Sequence, residues 1–184
     1  MPLFPSPSPT PEDPDAILMV RARDGDLAAF EELVRKHQHP LMNFFARLGV
    51  TGDVEDLAQE TFVRLYRYRA RYRPTAKFTT YLYLLARQVR IDFLRRTIRR
   101  DALHERVAKE APQQEEPSAV AQGARIDVAT ALSHLTDAMR EVVVLSILQG
   151  LPHAEVAEIL GIPVGTVKSR LSIALHRLRE IMDR

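Results

Sequence analysis

Arginine and lysine are the side chains best placed to do chemistry in this chain. Of its 26 basic residues, 12 lie between positions 64 and 100, where Asp92 is the single acid. That block carries +11 in a chain whose total is +2, the charge pattern of a surface that holds a polyanion. An arginine-rich solvated helix would explain the same residues without a partner. Residues 1–63 carry 11 acids against 5 bases, and residues 128–184 balance 6 against 6. Catalytic chemistry finds little support. Cysteine is absent, which removes disulfides, thiolate metal sites and thiol nucleophiles. His37, His39, His104, His134, His153 and His176 show no zinc spacing beside carboxylates, and Gly161 to Ser169 lacks the glycine-lysine-serine order of a phosphate loop. No enzyme, cofactor or metal is expected.

A second group of residues has the spacing of a DNA reader. From Glu155 to Arg170 the chain reads as a helix-turn-helix: Val156, Ala157 and Leu160 face inward, Gly161 supplies a turn that needs positive φ, and Ile162 plugs the angle. In the second helix Val167, Leu171, Ala174, Leu178 and Ile181 recur at helical spacing, so Lys168, Ser169, Ser172 and His176 point outward. Residues at that end of a recognition helix, with Thr166 and Arg170, meet base edges and phosphates in a major groove.

These groups must be positioned by helices. Residues 1–14 interleave Pro2, Pro5, Pro7, Pro9, Pro11 and Pro14 with serine and are expected to be a disordered tail. Residues 15–100 show helical periodicity: Asp26 caps a helix with Leu27, Phe30, Leu33 and Val34 on one face, Pro40 opens another through Leu48, and Asp53 caps a third carrying Val54, Leu57, Ala58, Thr61, Phe62 and Leu65. Thr79 or Thr80 then starts a long helix to about Arg99. Its inward face is Tyr81, Leu82, Leu85, Val89 and Phe93; Tyr83, Arg87, Arg90 and Leu94 project from the opposite side, beside a stripe of Leu84, Gln88, Ile91 and Arg95. An ion pair from Asp92 to Arg96 is expected. Residues 101–126 form a polar, acidic linker. Residues 127–184 return to helix, with Asp127 and Thr136 as caps, the second helix running to Gln149 before Gly150. Nothing alternates with period two. The fold class is all-α: two small helical domains joined by a flexible linker, the C-terminal one a helix-turn-helix.

The run Gly165-Thr166-Val167-Lys168-Ser169-Arg170-Leu171 resembles the signature of the fourth domain of bacterial RNA polymerase sigma factors. Asp56-Leu57-Ala58-Gln59-Glu60-Thr61-Phe62 resembles the family's second-domain motif. Phe78 to Tyr83, Ala86-Arg87-Gln88 and Ile91 to Arg96 resemble its promoter-melting segment. Both halves in this order, with only a linker between, resemble the extracytoplasmic-function group. The resemblance implies that residues 15–100 bind polymerase core and the -10 element, and that residues 127–184 bind the -35 element. It implies contacts to the beta-prime clamp helices from Asp56, Leu57, Gln59, Glu60, Phe62 and Arg64. It implies -10 contacts from Tyr83, Arg87, Gln88, Arg90, Ile91, Arg95, Arg96, Arg99 and Arg100, with the loop after Arg100 closing a base pocket. The -35 contacts would come from Thr166, Lys168, Ser169, Arg170, Ser172 and His176. RNA polymerase core, through its beta and beta-prime subunits, and promoter DNA are the implied partners, with an anti-sigma factor as a further one.

Gln88 stands where the family usually has asparagine and Tyr81 where it usually has tryptophan. Ile173 and Leu175 replace frequent arginines; Leu175 is expected to extend the core and Ile173 to be exposed. Tyr81 to Ala86 and Val142 to Leu148 are the longest apolar runs, far below the roughly 18 residues of a membrane span, so no span is expected. The N-terminus has no base before Arg21 and does not read as a signal peptide. The expected location is the cytoplasm. A helix-turn-helix regulator acting without polymerase is the alternative, and a decoy that binds polymerase but no promoter is a third.

Overall fold

The structure, a computed structural model, describes residues 13–107 and 128–182, and among them every regular element is helical. α1 (Pro14–Arg23) begins with the one residue type whose missing N–H costs nothing in a first turn. Its cap is Asp13, which accepts from the Asp15 N–H at 3.0 Å and also from the N–H of Phe78 at 2.7 Å. One carboxylate therefore ties the starts of two helices together. Residues 13 and 14 leave the expected tail for this reason; residues 1–12 lie outside the described residues.

α2 (Leu27–Arg47) is capped by the Asp26 carboxylate on the Ala29 N–H at 3.1 Å. It runs straight through Pro40, which was expected to start a new helix. An internal proline costs about 3 kcal/mol. Here Leu33, His37, Leu41, Phe44 and Phe45 keep one buried face in register on both sides of it, and burying a large apolar side chain returns about 1.5 to 3 kcal/mol each. α3 (Val54–Tyr68) buries Leu57, Ala58, Thr61, Phe62 and Leu65 of the stripe read from its sequence, while Val54 at its first turn is half-buried. A short 3-10 turn over Arg69–Arg71 leads toward α4 (Phe78–Val107). α4 passes Arg100 without a break, because no glycine or proline interrupts residues 101–107. The expected pocket-closing loop after Arg100 is therefore helix.

The linker expectation for residues 101–126 falls partly on α4; residues 108–127 lie outside the described residues. α5 (Val128–Ser133) and α6 (Asp137–Val143) follow, and the helix expected to reach Gln149 widens into a π-helical segment over Val144–Leu148. The Gln149 N–H then bonds the Val144 carbonyl at 2.9 Å and Gly150 turns away at φ 67°. α7 (His153–Leu160) and α8 (Val164–Met182) complete the chain. Arg140 clamps the end of α5, donating to the carbonyls of Leu132 at 2.9 Å, Ser133 at 3.2 Å and Leu135 at 3.0 Å. A Cβ on Gly49, at the end of α2, would sit 3.2 Å from its guanidinium, so the two halves of the chain touch here.

A buried acid–base cluster braces α1 on α2. Asp15 receives Lys36 Nζ at 2.6 Å on one oxygen and faces His37 Nε2 at 2.9 Å with the other. Burial pushes the His37 pKa below 6.5; attraction to Asp15 opposes this without overturning it. The unfolded chain thus binds a proton at His37 that the folded chain resists. Stability is full above the ordinary histidine range and falls as the pH drops through it. Thermal midpoints measured from pH 7.5 down to 5 should decline in the wild type, and the decline should be shallower in His37→Gln. Parallel declines would rule His37 out as the source.

Candidate nucleic-acid interface

The helix-turn-helix is built as its sequence dictates. Gly161 adopts φ 66°, ψ 35°, the left-handed conformation that ends α7, and the Ile162 N–H reaches back to the Ala157 carbonyl at 3.1 Å. The Pro163 carbonyl then accepts from the N–H groups of Thr166 and Val167 at 2.9 and 3.1 Å, starting α8. Val167, Leu171 and Ala174 are buried against the rest of the domain, which turns Lys168, Ser169, Ser172 and His176 to solvent. Thr166 and Arg170 are half-buried beside them. Ile173 is 48% exposed, as expected, but Leu175 is 39% exposed and does not extend the core. It lies off the Val167–Leu171–Ala174 line, on a flank that the other helices leave uncovered.

The long helix departs further from expectation. Leu82, Leu85 and Val89 are buried in the first half of the molecule, and Tyr81 is half-buried with its ring 5.3 Å from Tyr72. Tyr83 and Arg90, expected to project outward, are only 3% and 4% exposed. They are enclosed between α2, where the Tyr83 ring lies 5.1 Å from that of Phe44, and the C-terminal half. Tyr83 donates its hydroxyl to Gln149; burial holds that phenol above its ordinary pKa. Glu141 receives Arg90 at 3.0 Å and Arg87 at 3.5 Å, while a second nitrogen of Arg90 bonds the Leu48 carbonyl at 3.3 Å. Glu155 accepts from Thr80 at 2.9 Å and pairs with Lys77 at 3.0 Å. A helical wheel reports a face's polarity, and this face is polar; it cannot report that another domain will supply the partners.

Gln88, Arg95, Arg96, Arg99 and Arg100 remain exposed, and Ile91 is half-buried. Asp92 is not held by Arg96. Its carboxylate takes Arg64 from α3 at 2.8 Å, while Arg96 Nε donates to the Asp92 carbonyl at 3.3 Å. Arg64 also pairs with Glu60 at 2.8 Å, so it braces α3 on α4. Of the residues expected to meet polymerase, Asp56 and Gln59 are exposed, Glu60 and Arg64 are half-buried, and Leu57 and Phe62 belong to the core. Gln59 lies in a shallow groove between α2 and α3 lined also by Val34, Met42, Phe62 and Val63.

A cavity of about 400 Å³ lies between the turn before α4 and α7, lined by Tyr68, Tyr72, Arg73, Tyr81, Leu84 and Glu158 among others. Three residues that matter in this arrangement were missed in the sequence. Asp13 carried a signal, because an aspartate directly before a proline marks a helix start. Glu141 and Glu155 carried none, since their partners lie 51 to 78 positions away.

Residues 33–100 match the family of sigma-70 region 2, and residues 131–180 match that of sigma-70 region 4. The ECF RNA polymerase sigma-E factor of Escherichia coli (strain K12) is 32% identical over 180 residues, covering 92% of each chain. The chain belongs to the extracytoplasmic-function sigma factors. The ECF RNA polymerase sigma factor SigE of Mycolicibacterium smegmatis is 34% identical over 166 residues, 86% of this chain and 64% of that one. Among solved structures, CnrH in complex with the cytosolic domain of CnrY is 27% identical with a TM-score of 0.70, covering 92% of this sigma factor and 97% of CnrH. Both halves match in order, so the regulator that would use its helix-turn-helix alone falls away. The sigma factor directs promoter-specific transcription initiation by RNA polymerase. Among the described residues, no helix is long and apolar enough to cross a membrane.

Proposed function

We propose that this sigma factor reads the -35 element with the N-terminal part of α8 and captures the melted -10 element on α4, while the exposed side of α3 docks on polymerase core. The observation that carries the first assignment is the outward row Lys168, Ser169, Ser172 and His176, held in place by a buried seam and a left-handed glycine turn. Thr166 and Arg170 flank that row and position it on the backbone. On α4, Gln88 and Ile91 offer an amide and an aliphatic surface one turn apart, and Arg95, Arg96, Arg99 and Arg100 offer charge to phosphates. Asp56, Gln59 and Glu60 face the core enzyme beside the apolar groove of α2 and α3. The chain itself catalyses nothing and works in the cytoplasm, where its template and polymerase are. An anti-sigma protein is a further partner, in keeping with the CnrH complex with the cytosolic domain of CnrY.

Run-off transcription with polymerase core on a randomised promoter library tests this reading. The wild type should initiate from a shared two-part consensus. Lys168→Ala should lose about 1 to 3 kcal/mol of preference at one -35 position and little elsewhere. An equal loss across all sequences would make Lys168 a phosphate contact, and the absence of any consensus would overturn the proposal.

A further inference from the structure

The outward face of α8 carries one residue that hydrogen bonding does not explain. Ser169, Ser172, Ile173 and His176 recur at i, i+3, i+4 and i+7, so all four stand on one side of the helix, and all four are exposed. Three are polar; Ile173, 48% exposed, is aliphatic. Its neighbours one turn away are Ser169 and Arg170 before it and His176 and Arg177 after it. The serines are short, and the Ser169 hydroxyl donates back to the Thr166 carbonyl at 3.1 Å. His176 Nε2 lies 3.4 Å from Glu180, which draws the ring toward the C-terminal end of the helix. Ile173 is therefore an apolar knob in the middle of this face, left uncovered by the described residues.

What covers such a knob follows from where it sits. A lone isoleucine elsewhere on a surface asks for no partner. Here Arg170 and Arg177 border the face, and their charge suits a DNA backbone held against it. A duplex bound in this way presses its major groove onto Ile173. The groove displays one apolar group, the C5-methyl of thymine; every other feature of its base edges is a donor or an acceptor that isoleucine leaves unpaired.

We propose that Ile173 is a specificity-determining residue which reads the C5-methyl group of one thymine in the -35 element. The proposal deepens the -35 assignment made above and rests on it. Ser169 and Ser172 meet neighbouring base edges through their hydroxyls, while Ile173 selects by covering a methyl group. The selection works in both directions. Thymine gains an apolar contact, whereas the amino group of a cytosine at that place loses water and finds no partner.

Deoxyuridine differs from thymidine by that methyl alone, which supplies the test. Starting from the best promoter of the randomised library, each thymine of the -35 element, on either strand, is replaced in turn by deoxyuridine. Open-complex formation by the reconstituted holoenzyme is then measured. One replacement should weaken the wild type about 3- to 10-fold, the factor expected for one buried methyl group. Relative to the wild type, Ile173→Ala should lose about the same factor on the thymine promoter and none on that deoxyuridine promoter, with an unchanged thermal melt. Ile173→Val should keep most of the methyl dependence. Wild-type indifference to every deoxyuridine, or a -35 element without thymine, would overturn the proposal and leave the -35 assignment standing. Ile173→Ala with no loss, or with the same loss on both promoters, would overturn it as well, the second outcome marking a protein contact. If scrambling the whole -35 sequence leaves initiation unchanged, the -35 assignment itself falls and takes this proposal with it.

Discussion

Arg140→Met is expected to cost the C-terminal half about 2 to 4 kcal/mol, because it takes the guanidinium donor from the Ser133 and Leu135 carbonyls, leaves Leu132 with the Leu135 N–H alone, and breaks the 3.3 Å pair with Asp137. Methionine keeps much of the volume and removes only the guanidinium, so the loss reads these polar contacts together. α5 has six residues, too few to be stable alone, and Arg140 joins its last turn to α6. A core of this size supplies only about 3 to 5 kcal/mol, so the loss is most of the domain's stability. The sign of the effect on α8 follows: with α5 detached, the seam under Val167 and Leu171 opens and the reading row loses its base. Circular-dichroism melts should show an early transition in Arg140→Met, amide exchange in α5 should approach the unfolded rate, and run-off transcription should fail first at high temperature. Arg140→Lys should lie between, since one ammonium cannot reach three carbonyls at the fork's geometry. Arg177→Met, exposed on α8, should melt as the wild type. A shift below about 0.5 kcal/mol in Arg140→Met would mean that water replaces the guanidinium at no cost.

The contrast between α3 and α4 shows what a sequence of this kind reveals. α3 has one buried stripe at 3.6 periodicity, and every residue of it from Leu57 to Leu65 was readable because that stripe meets only its neighbours in the same half, α2 and α4. α8 was readable for the same reason, helped by Gly161, whose left-handed backbone conformation glycine adopts without strain. α4 is packed on more than one side, by α1 and α3 of its own half and by α6 and α7 of the other. Its inner face followed the wheel, but Tyr83 and Arg90 are polar residues enclosed between α2 and a domain far along the chain, which supplies Gln149 and Glu141, and periodicity contains no information about that distance. Asp92 repeats the lesson on a smaller scale. Arg96 lay at the right spacing on the same helix, while Arg64 won from the neighbouring one because it reaches Asp92 and Glu60 together. Pro40 shows the opposite case: its local penalty suggests a break, and the packing of Phe44 and Phe45 outweighs it.

Gln88→Ala should abolish most initiation from an intact duplex promoter and leave a scrambled bubble almost unaffected. Gln88 is the exposed amide of α4, and the contacts from the C-terminal half pass it by, engaging Arg87 and Arg90 instead. A substitution at 88 therefore reports on DNA without disturbing the contact between the halves. Extruding a base costs a few kcal/mol of stacking, and an amide that pairs with its edge returns about 1 to 3 kcal/mol. Losing that return shifts the melting step by roughly 5- to 150-fold. In the proposed complex Ile91, half-buried one turn on, would give the sugar an aliphatic surface, and Arg95, Arg96, Arg99 and Arg100 would hold the phosphates along a helix that continues to Val107. Because α4 does not end at Arg100, a strand captured there would run along this helix instead of under a loop. The measurement is run-off transcription by the reconstituted holoenzyme on two templates, one duplex and one with a pre-melted bubble whose non-template -10 strand is scrambled. The duplex pays for unstacking and needs the captured base; the scrambled bubble offers neither the cost nor the base. A loss of similar size on both templates would assign Gln88 to the fold or to the polymerase contact, and base capture would then have to be sought elsewhere on α4.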